Sequence, residues 1–482
     1  MPPGSRPHTL PAIPRPRAKP SWAQADPIDE LAARLDDFIA AAVHPDEIAA
    51  LLESDGLSDD QIRERYGVRN SFALAEELYE RVGRRYPEPD GPADDPWRMD
   101  LLGCLLRGVV FALPGLGYVL GAPLLAGPRD DYGLPAGTVP LLAAALCGWT
   151  WNQGLAHRAY SWLGLGDRAA GRRSLLFGAP VGVLLGTLVA FAAGGTGDPA
   201  AIAFAAGQSC YLGAATVLLV MGRERALLAA LSPMAAGAVF AMAEAVPDAV
   251  RIVLLLGSLL AVAILGLLEV APAARTPIGR RGRATAPRLA ASLPHALFGL
   301  ATGVLVLHAA LGDVLADDLT GTGAVAAPAA VALTLSMGPA EWLLNRFRSA
   351  GLAGLRSSST PRAFRRRAVL AVVRCLTGYL TALLALALAT SALWPGTPGA
   401  SAVRLAGLLL LGVVLWTGLL LQSFGAVLGA TTVCCVAALA QTAAVVTHTG
   451  SPHWIALIVH GTAAAAQGAL VCALLGRATA HR

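Results

Sequence analysis

The sequence predicts an all-α polytopic membrane protein of about twelve transmembrane helices in a six-plus-six pseudo-repeat, with a small helical cytoplasmic N-terminal domain. Three observations carry that expectation. From residue 100 onward, apolar stretches recur that each reach the roughly 20 residues a helix needs to cross a bilayer. Hydrophobic residues make up 55% of the chain and charged residues 14%, against about 25% charged in soluble domains. Mean hydropathy is +0.57. Finally, arginine is concentrated in alternate connections between the apolar stretches.

The spans fall near 103–126, 135–155, 174–194, 200–221, 226–245, 250–271, 289–310, 323–345, 368–392, 402–421, 424–447 and 453–475. The second, fourth, sixth and eighth connections and the C-terminus hold twenty arginines. Among them are Arg158, Arg172, Arg223, Arg283, Arg348 and Arg482. The opposite side holds Arg129, Arg251 and Arg404, together with Asp130, Asp131, Asp198, Asp248, Asp313, Asp317 and Asp318. The positive-inside rule then places both termini in the cytoplasm. The first strongly apolar run begins near Leu101, too far along for a cleavable signal peptide. A single lysine, Lys19, among many alanines and arginines suggests a high-GC coding sequence and hence a bacterial plasma membrane.

Residues 1–25, rich in proline and holding four basic residues, cannot bury a core and read as a disordered tail. Residues 26–86 have helical periodicity. Asp26-Pro27 opens a helix with Ile28, Leu31, Leu35, Phe38 and Ile39 on one face. His44-Pro45 opens a second. Ser58 and Gln61 form a capping box for a third that ends at Gly67. Asn70 or Ser71 caps a fourth carrying Phe72, Leu74, Leu78 and Val82. Residues 26–95 carry a net charge of −12. A phosphate backbone would repel that surface, so no nucleic-acid partner is expected, despite a superficial helix-turn-helix look. A cytoplasmic protein partner is a candidate role, and a stabilising cap is the plainer one. Residues 87–100 read as a linker, 101–271 as the first membrane half, 272–288 as a basic connection and 289–482 as the second half.

Enzyme motifs are absent: no HExxH, GxSxG, Walker A loop or metal-spaced His/Cys set occurs. No enzyme activity, cofactor or metal is expected, and transport without an ATPase motif draws on a gradient or a separate subunit. All seven cysteines lie within spans and read as packing residues. Ionisable residues inside spans are costly, which makes them functional candidates. Arg107 in span 1, His295 in span 7, Glu341 in span 8 and Arg374 in span 9 all lie in the cytoplasmic half. Together they could line a cavity that binds an anionic headgroup; otherwise the arginines snorkel to the interface and Glu341 pairs with a nearby arginine. His460, near the middle of span 12, is a candidate proton relay or a hydrogen-bonded packing residue.

The two halves share a layout. Trp149 and Trp151 near the end of span 2 are followed by Arg168, Arg172 and Arg173. Trp342 near the end of span 8 is followed by Arg362, Arg365, Arg366 and Arg367. Parallel repeats of this kind occur in secondary transporters. The stretch Gly166-Asp167-Arg168-Ala169-Ala170-Gly171-Arg172-Arg173 resembles the G-x-x-x-D-R-x-G-R-R motif of the major facilitator superfamily. It has one extra residue before Gly171 and Leu163 where the first glycine belongs. The longer region from Asn152 to Leu176 resembles the segment after span 2 of polysaccharide flippases, in the multidrug, oligosaccharidyl-lipid and polysaccharide exporter superfamily.

The flippase resemblance implies alternating access, with an anionic lipid-linked glycan turned across the bilayer. In that reading Arg107 and Arg374 serve a cationic cavity. The facilitator resemblance implies a proton-coupled exporter of small solutes or drugs, with acidic residues in spans 1 and 4. Those spans have none, which favours the flippase. A non-transporting scaffold or sensor of a cell-envelope assembly is a third class.

Overall fold

The computed structural model describes residues 26–83, 85, 100–125, 137–195, 199–275, 286–315, 328–357, 360–393 and 401–475. The expected tail 1–25 and nearly all of the 87–100 linker lie outside the described residues, as do Arg283, Asp318 and Arg482. No strand occurs among the described residues. The chain divides into two compact units, Met1–Asp94 and Asp95–Arg482.

The first unit holds five short helices: α1 (Pro27–Arg34), α2 (Asp36–Ala41), α3 (Pro45–Ser54), α4 (Asp59–Tyr66) and α5 (Ser71–Arg81). Side chains cap most of them. Asp26 accepts from the Ile28 N–H, and Asn70 accepts from the Ala73 N–H. Ser58 and Gln61 form the reciprocal capping box, and Gly67 closes α4 at φ 71°, where a side chain would be strained. Ile28, Leu31, Ile39, Ile48, Leu52, Ile62, Leu74 and Leu78 fill the core. Arg81 clamps the end of α5 to the start of α1 through Asp26 at 3.0 Å and Asp29 at 3.0 Å. Burial opposes the charge on Arg81, but the hydrogen bond and field of Asp26, with Glu77 and Asp29, raise its proton affinity above the ordinary value. The first helix differs from expectation. It breaks at Leu35 (φ −104°, ψ 13°), and Phe38 turns out to solvent at 41% exposure.

The second unit begins with α6 (Leu101–Gly121), α7 (Thr138–Gly164), α8 (Arg168–Gly194), α9 (Pro199–Val220), α10 (Glu224–Ala243) and α11 (Asp248–Val270). A one-turn α12 (Pro272–Arg275) follows. The chain continues with α13 (Leu293–Leu315), α14 (Pro328–Leu335), α15 (Met337–Ser357), α16 (Pro361–Leu393), α17 (Ala402–Ser423), α18 (Val427–Val446) and α19 (Pro452–Leu475). Among the described residues, ten helices are long and apolar enough to cross a membrane, which makes this an integral membrane protein.

The positions of the second and eighth expected spans are filled differently. α7 has 27 residues but carries Asn152, Gln153, His157 and Arg158, which lower its hydropathy. The eighth position is interrupted at Ser336, between α14 and α15. The interruption is one residue long: the Ser336 N–H still donates to the Ala332 carbonyl and the Ala340 N–H to the Ser336 carbonyl, both at 2.9 Å, while Pro339 has no N–H for the Leu335 carbonyl one turn back.

Polar contacts between connections show that the helices alternate in direction. Arg158 donates to the Pro287 carbonyl at 3.3 Å. Arg172 and Arg223 both reach Glu269, at 2.5 and 2.8 Å. Arg348 donates to the Ser423 carbonyl at 2.8 Å. These contacts gather the arginine-bearing connections at one end of the bundle, called here the basic end. At the other end Arg251 donates to the Val119 and Leu120 carbonyls, both at 3.4 Å, so a cation closes the C-terminus of α6. Arg404 donates to His453 at 3.3 Å near the same end.

Helix pairing repeats between the halves. In the first, α6 packs on α10, α7 on α8, α8 on α9, α9 on α11 and α10 on α11. In the second, α13 packs on α18, α14 and α15 on α16, α16 on α17, α17 on α19 and α18 on α19. These pairings correspond in order, but α7 also packs broadly on α9, a pairing without a comparable one between α17 and α14 or α15. The halves meet at two seams, α6 against α14 and α15, and α7 against α13. A rotation that exchanges the halves exchanges the seams.

Candidate functional site

Both seams are lined by small residues, which let backbones approach. A Cβ on Gly108 would stand 2.9 Å from the Gly338 nitrogen, and one on Gly338 would stand 2.7 Å from the Cys104 carbonyl oxygen. In the second seam, a Cβ on Gly154 would lie 3.3 Å from the Ala296 Cβ, and one on Gly299 would lie 2.7 Å from Gln153 Cγ. Without a hydrophobic drive between helices in lipid, close packing of small residues becomes a main source of association.

Each seam also carries ionisable side chains. Arg107 of α6 pairs with Glu341 of α15 across the first seam. Its Nε lies 2.8 Å from Glu224 Oε1 at the start of α10, within its own half, at an angle that makes an ion pair rather than an aligned hydrogen bond. The three side chains are 25%, 29% and 28% exposed for Arg107, Glu224 and Glu341. An arginine in the apolar region costs roughly 2.5–3.5 kcal/mol even on lenient scales. Two carboxylates offset that cost and leave the trio with one excess negative charge.

Across the second seam His157 of α7 stacks on His295 of α13, ring centroids 3.7 Å apart. His157 Nδ1 lies 3.1 Å from Ser292 Oγ. Asn152 Oδ1, on a seam helix, is buried without a hydrogen-bond partner among the described residues. Such groups are rare in native structures and mark places under functional constraint or bound by water.

Three of the residues singled out in the sequence, Arg107, His295 and Glu341, therefore lie in the seams. Arg374 does not join them. It is exposed on α16 beside Leu370 and Val373, whereas Cys375, Tyr379 and Leu383 form the buried face of that helix. The expected shared cavity of Arg107 and Arg374 is corrected accordingly: Arg107 is held by two glutamates, and Arg374 turns outward, as a snorkelling arginine does. His460 is 1% exposed. Its Nδ1 lies 3.0 Å from the Gly407 carbonyl and its Nε2 3.2 Å from Gln441 Oε1, so it ties α19 to α17 and α18. Below it, Gln467 accepts from Thr417 at 2.5 Å and donates to Cys434 at 3.3 Å.

Sequence reasoning missed Glu224 and His157. Glu224 sits in a connection among arginines and reads as surface. His157 lies beyond the expected end of span 2, but α7 continues to Gly164. The motif that resembles the facilitator signature has local work to do. Asp167 caps α8 by accepting from the Ala170 N–H at 2.9 Å, and Arg172 pins the start of α8 to Glu269 near the end of α11. Among the described residues no cluster of three or more His, Cys, Asp or Glu is arranged to hold a metal.

Compared with family models, with curated proteins and with solved structures, the chain matches none.

Proposed function

We propose that this protein is a twelve-span membrane transporter that works by alternating access, its two six-helix halves rocking about the paired seams. The repeated pairing of the halves carries the reading. Two bodies of similar pairing joined by two exchangeable seams suit a device that opens at one end as it closes at the other. The basic end faces the cytoplasm by the arginine bias.

Within that reading we favour a flippase of lipid-linked glycans. A groove of about 310 Å³ runs along the first seam, lined by Leu105, Val109, Leu335, Pro339, Ala382 and Leu386. All six are apolar, which suits an alkyl chain better than a hydrophilic solute. The arginines of the basic end supply the attraction for an anionic headgroup that Arg107 and Arg374 were expected to supply. A small-solute exporter remains the second reading, because the groove walls carry no group for a sugar or a phosphate.

The test is a flipping assay in proteoliposomes holding a fluorescent polyprenyl-pyrophosphate saccharide. The fraction quenched by an impermeant reductant should rise from about half to nearly all when the protein is present. Vesicles with the protein that stay at the protein-free value would remove the flippase reading. Orientation is tested with a cytoplasm-active reporter, which should be active when fused after Arg283 and silent after Asp318.

A further inference from the structure

We propose that Glu341 is a proton-binding site whose protonation unlocks the first seam at the basic end. The inference rests on the transporter reading and adds its coupling ion. The trio Arg107, Glu224 and Glu341 holds one carboxylate more than its cation can neutralise. The side chains are about three-quarters withdrawn from solvent, where an uncompensated charge is poorly screened. One proton restores neutrality.

A proton suits the site better than a metal cation. Hard cations collect about six oxygens, and here both carboxylates already face a guanidinium. The Asn345 amide N–H donates to the Glu341 main-chain carbonyl at 3.0 Å.

The two glutamates differ in position. Glu224 is the first residue of α10, beside the positive end of that helix's dipole. Glu341 lies past the first turn of α15 and has no such help. The proton therefore goes to Glu341. In the step, a hydronium ion gives a proton to a Glu341 carboxylate oxygen: one of its O–H bonds breaks as the carboxyl O–H bond forms, and a water molecule is left. Arg107 stays charged throughout. Arg107 then keeps Glu224, which belongs to its own half, and loses the ionic tie to the opposite half.

The groups around Glu341 do not duplicate this role. From α6 come Arg107 and the buried Cys104, with Asp100 at the helix N-cap. α10 contributes Glu224, and α7 contributes Tyr160, which feels all three charges. α16 presents Cys375 and Tyr379, the latter 3.2 Å from Ser336. α17 contributes Trp416, which does not titrate, and donates to the Ala340 carbonyl at 3.3 Å. On α15 itself Arg346 lies over the Trp342 ring and Arg348 binds the Ser423 carbonyl. Among the described residues, Glu224 and Glu341 are thus the carboxylates paired with Arg107.

The test places nitroxides on Leu102→Cys of α6 and Ala350→Cys of α15, both at exposed positions, in the full chain lacking its native cysteines. Distances are read by pulsed electron resonance in proteoliposomes from about pH 4, just below the ordinary glutamate value of about 4.3, up to about pH 8. The native trio should shift to longer distances at the lower pH. Glu341→Gln should be long at both. Glu341→Asp, which still titrates, should keep the response and shows that position 341 tolerates change. Glu224→Gln should keep it with a midpoint at lower pH, because a negative neighbour has gone. A native-like pH response in Glu341→Gln, or opening driven by sodium at constant pH, overturns the assignment. A seam that ignores pH in a protein that still flips lipid overturns this inference alone. A pH-driven seam in a protein that moves no lipid retains the site and overturns the transporter reading.

Discussion

Gly108 and Gly338 meet backbone to backbone where α6 crosses the interruption between α14 and α15. No side chain stands between them, and the Cβ positions lie 2.9 Å from Gly338 N and 2.7 Å from Cys104 O respectively. The obstructing atoms are main chain and cannot swing aside. Gly338→Ala should therefore force the helices apart and lower stability by about 1–3 kcal/mol. Gly103→Ala, on the same helix α6 with nothing within 4 Å of its Cβ, should gain about 0.5–1 kcal/mol from helix propensity. Thermal unfolding of the two variants in detergent checks the contrast. A Gly338→Ala protein as stable as the native one contradicts the close crossing.

Glu269 is the shared partner of Arg172 and Arg223, with a side chain only 8% exposed. Arg172 is 26% exposed and Arg223 57%. Removing the carboxylate leaves two arginines facing each other, one of them largely enclosed. Glu269→Ala should cost about 3 kcal/mol. Arg223→Ala should cost under about 1 kcal/mol, since solvent screens that arm. Equal losses in a denaturation series of the two variants would show that Glu269 is not the hub.

The first unit has a core of its own, built from Ile28, Ile48, Leu52, Ile62, Leu74 and Leu78. A fragment of residues 26–86 should give a helical circular dichroism spectrum with a cooperative melt. Arg81→Ala should lower its midpoint, because Asp26, Asp29 and Glu77 lose their shared cation. A random-coil spectrum from the native fragment contradicts an independent domain. The exposed Phe38 and Phe72, at 41% and 53%, bear on what such a domain would dock, but not on whether it folds.

Local signals were readable and distant pairings were not. The caps at Asp26, Ser58, Gly67 and Asn70 depend on neighbours within a few residues, so spacing alone reveals them. The apolar helices follow from length and hydropathy. The cost of charge inside an apolar run pointed to Arg107, Glu341 and His295. That reasoning gives depth along a helix but not direction around it. Arg374 and Cys375 are adjacent in sequence, yet one is exposed and the other buried, because each residue turns the helix by about 100°. The partnership of Arg107 with Glu341 spans 234 positions, and no local pattern encodes it. Pro339 lies beside the interruption at Ser336, but an apolar run with one proline reads equally well as a continuous span, as α6, α8 and α10 are around Pro114, Pro180 and Pro233.

The most direct test of rocking halves is to lock a seam. The Cβ position of Gly154 lies 3.3 Å from the Ala296 Cβ across α7 and α13, close to the roughly 3.5–4.5 Å that a disulfide bridges. Gly154→Cys and Ala296→Cys, paired in a chain lacking its native cysteines, should form that bond under oxidation. Flipping of the fluorescent polyprenyl-pyrophosphate saccharide should then stop, and it should resume after reduction. A fully oxidised protein that flips at the reduced rate would contradict movement of the halves about their seams.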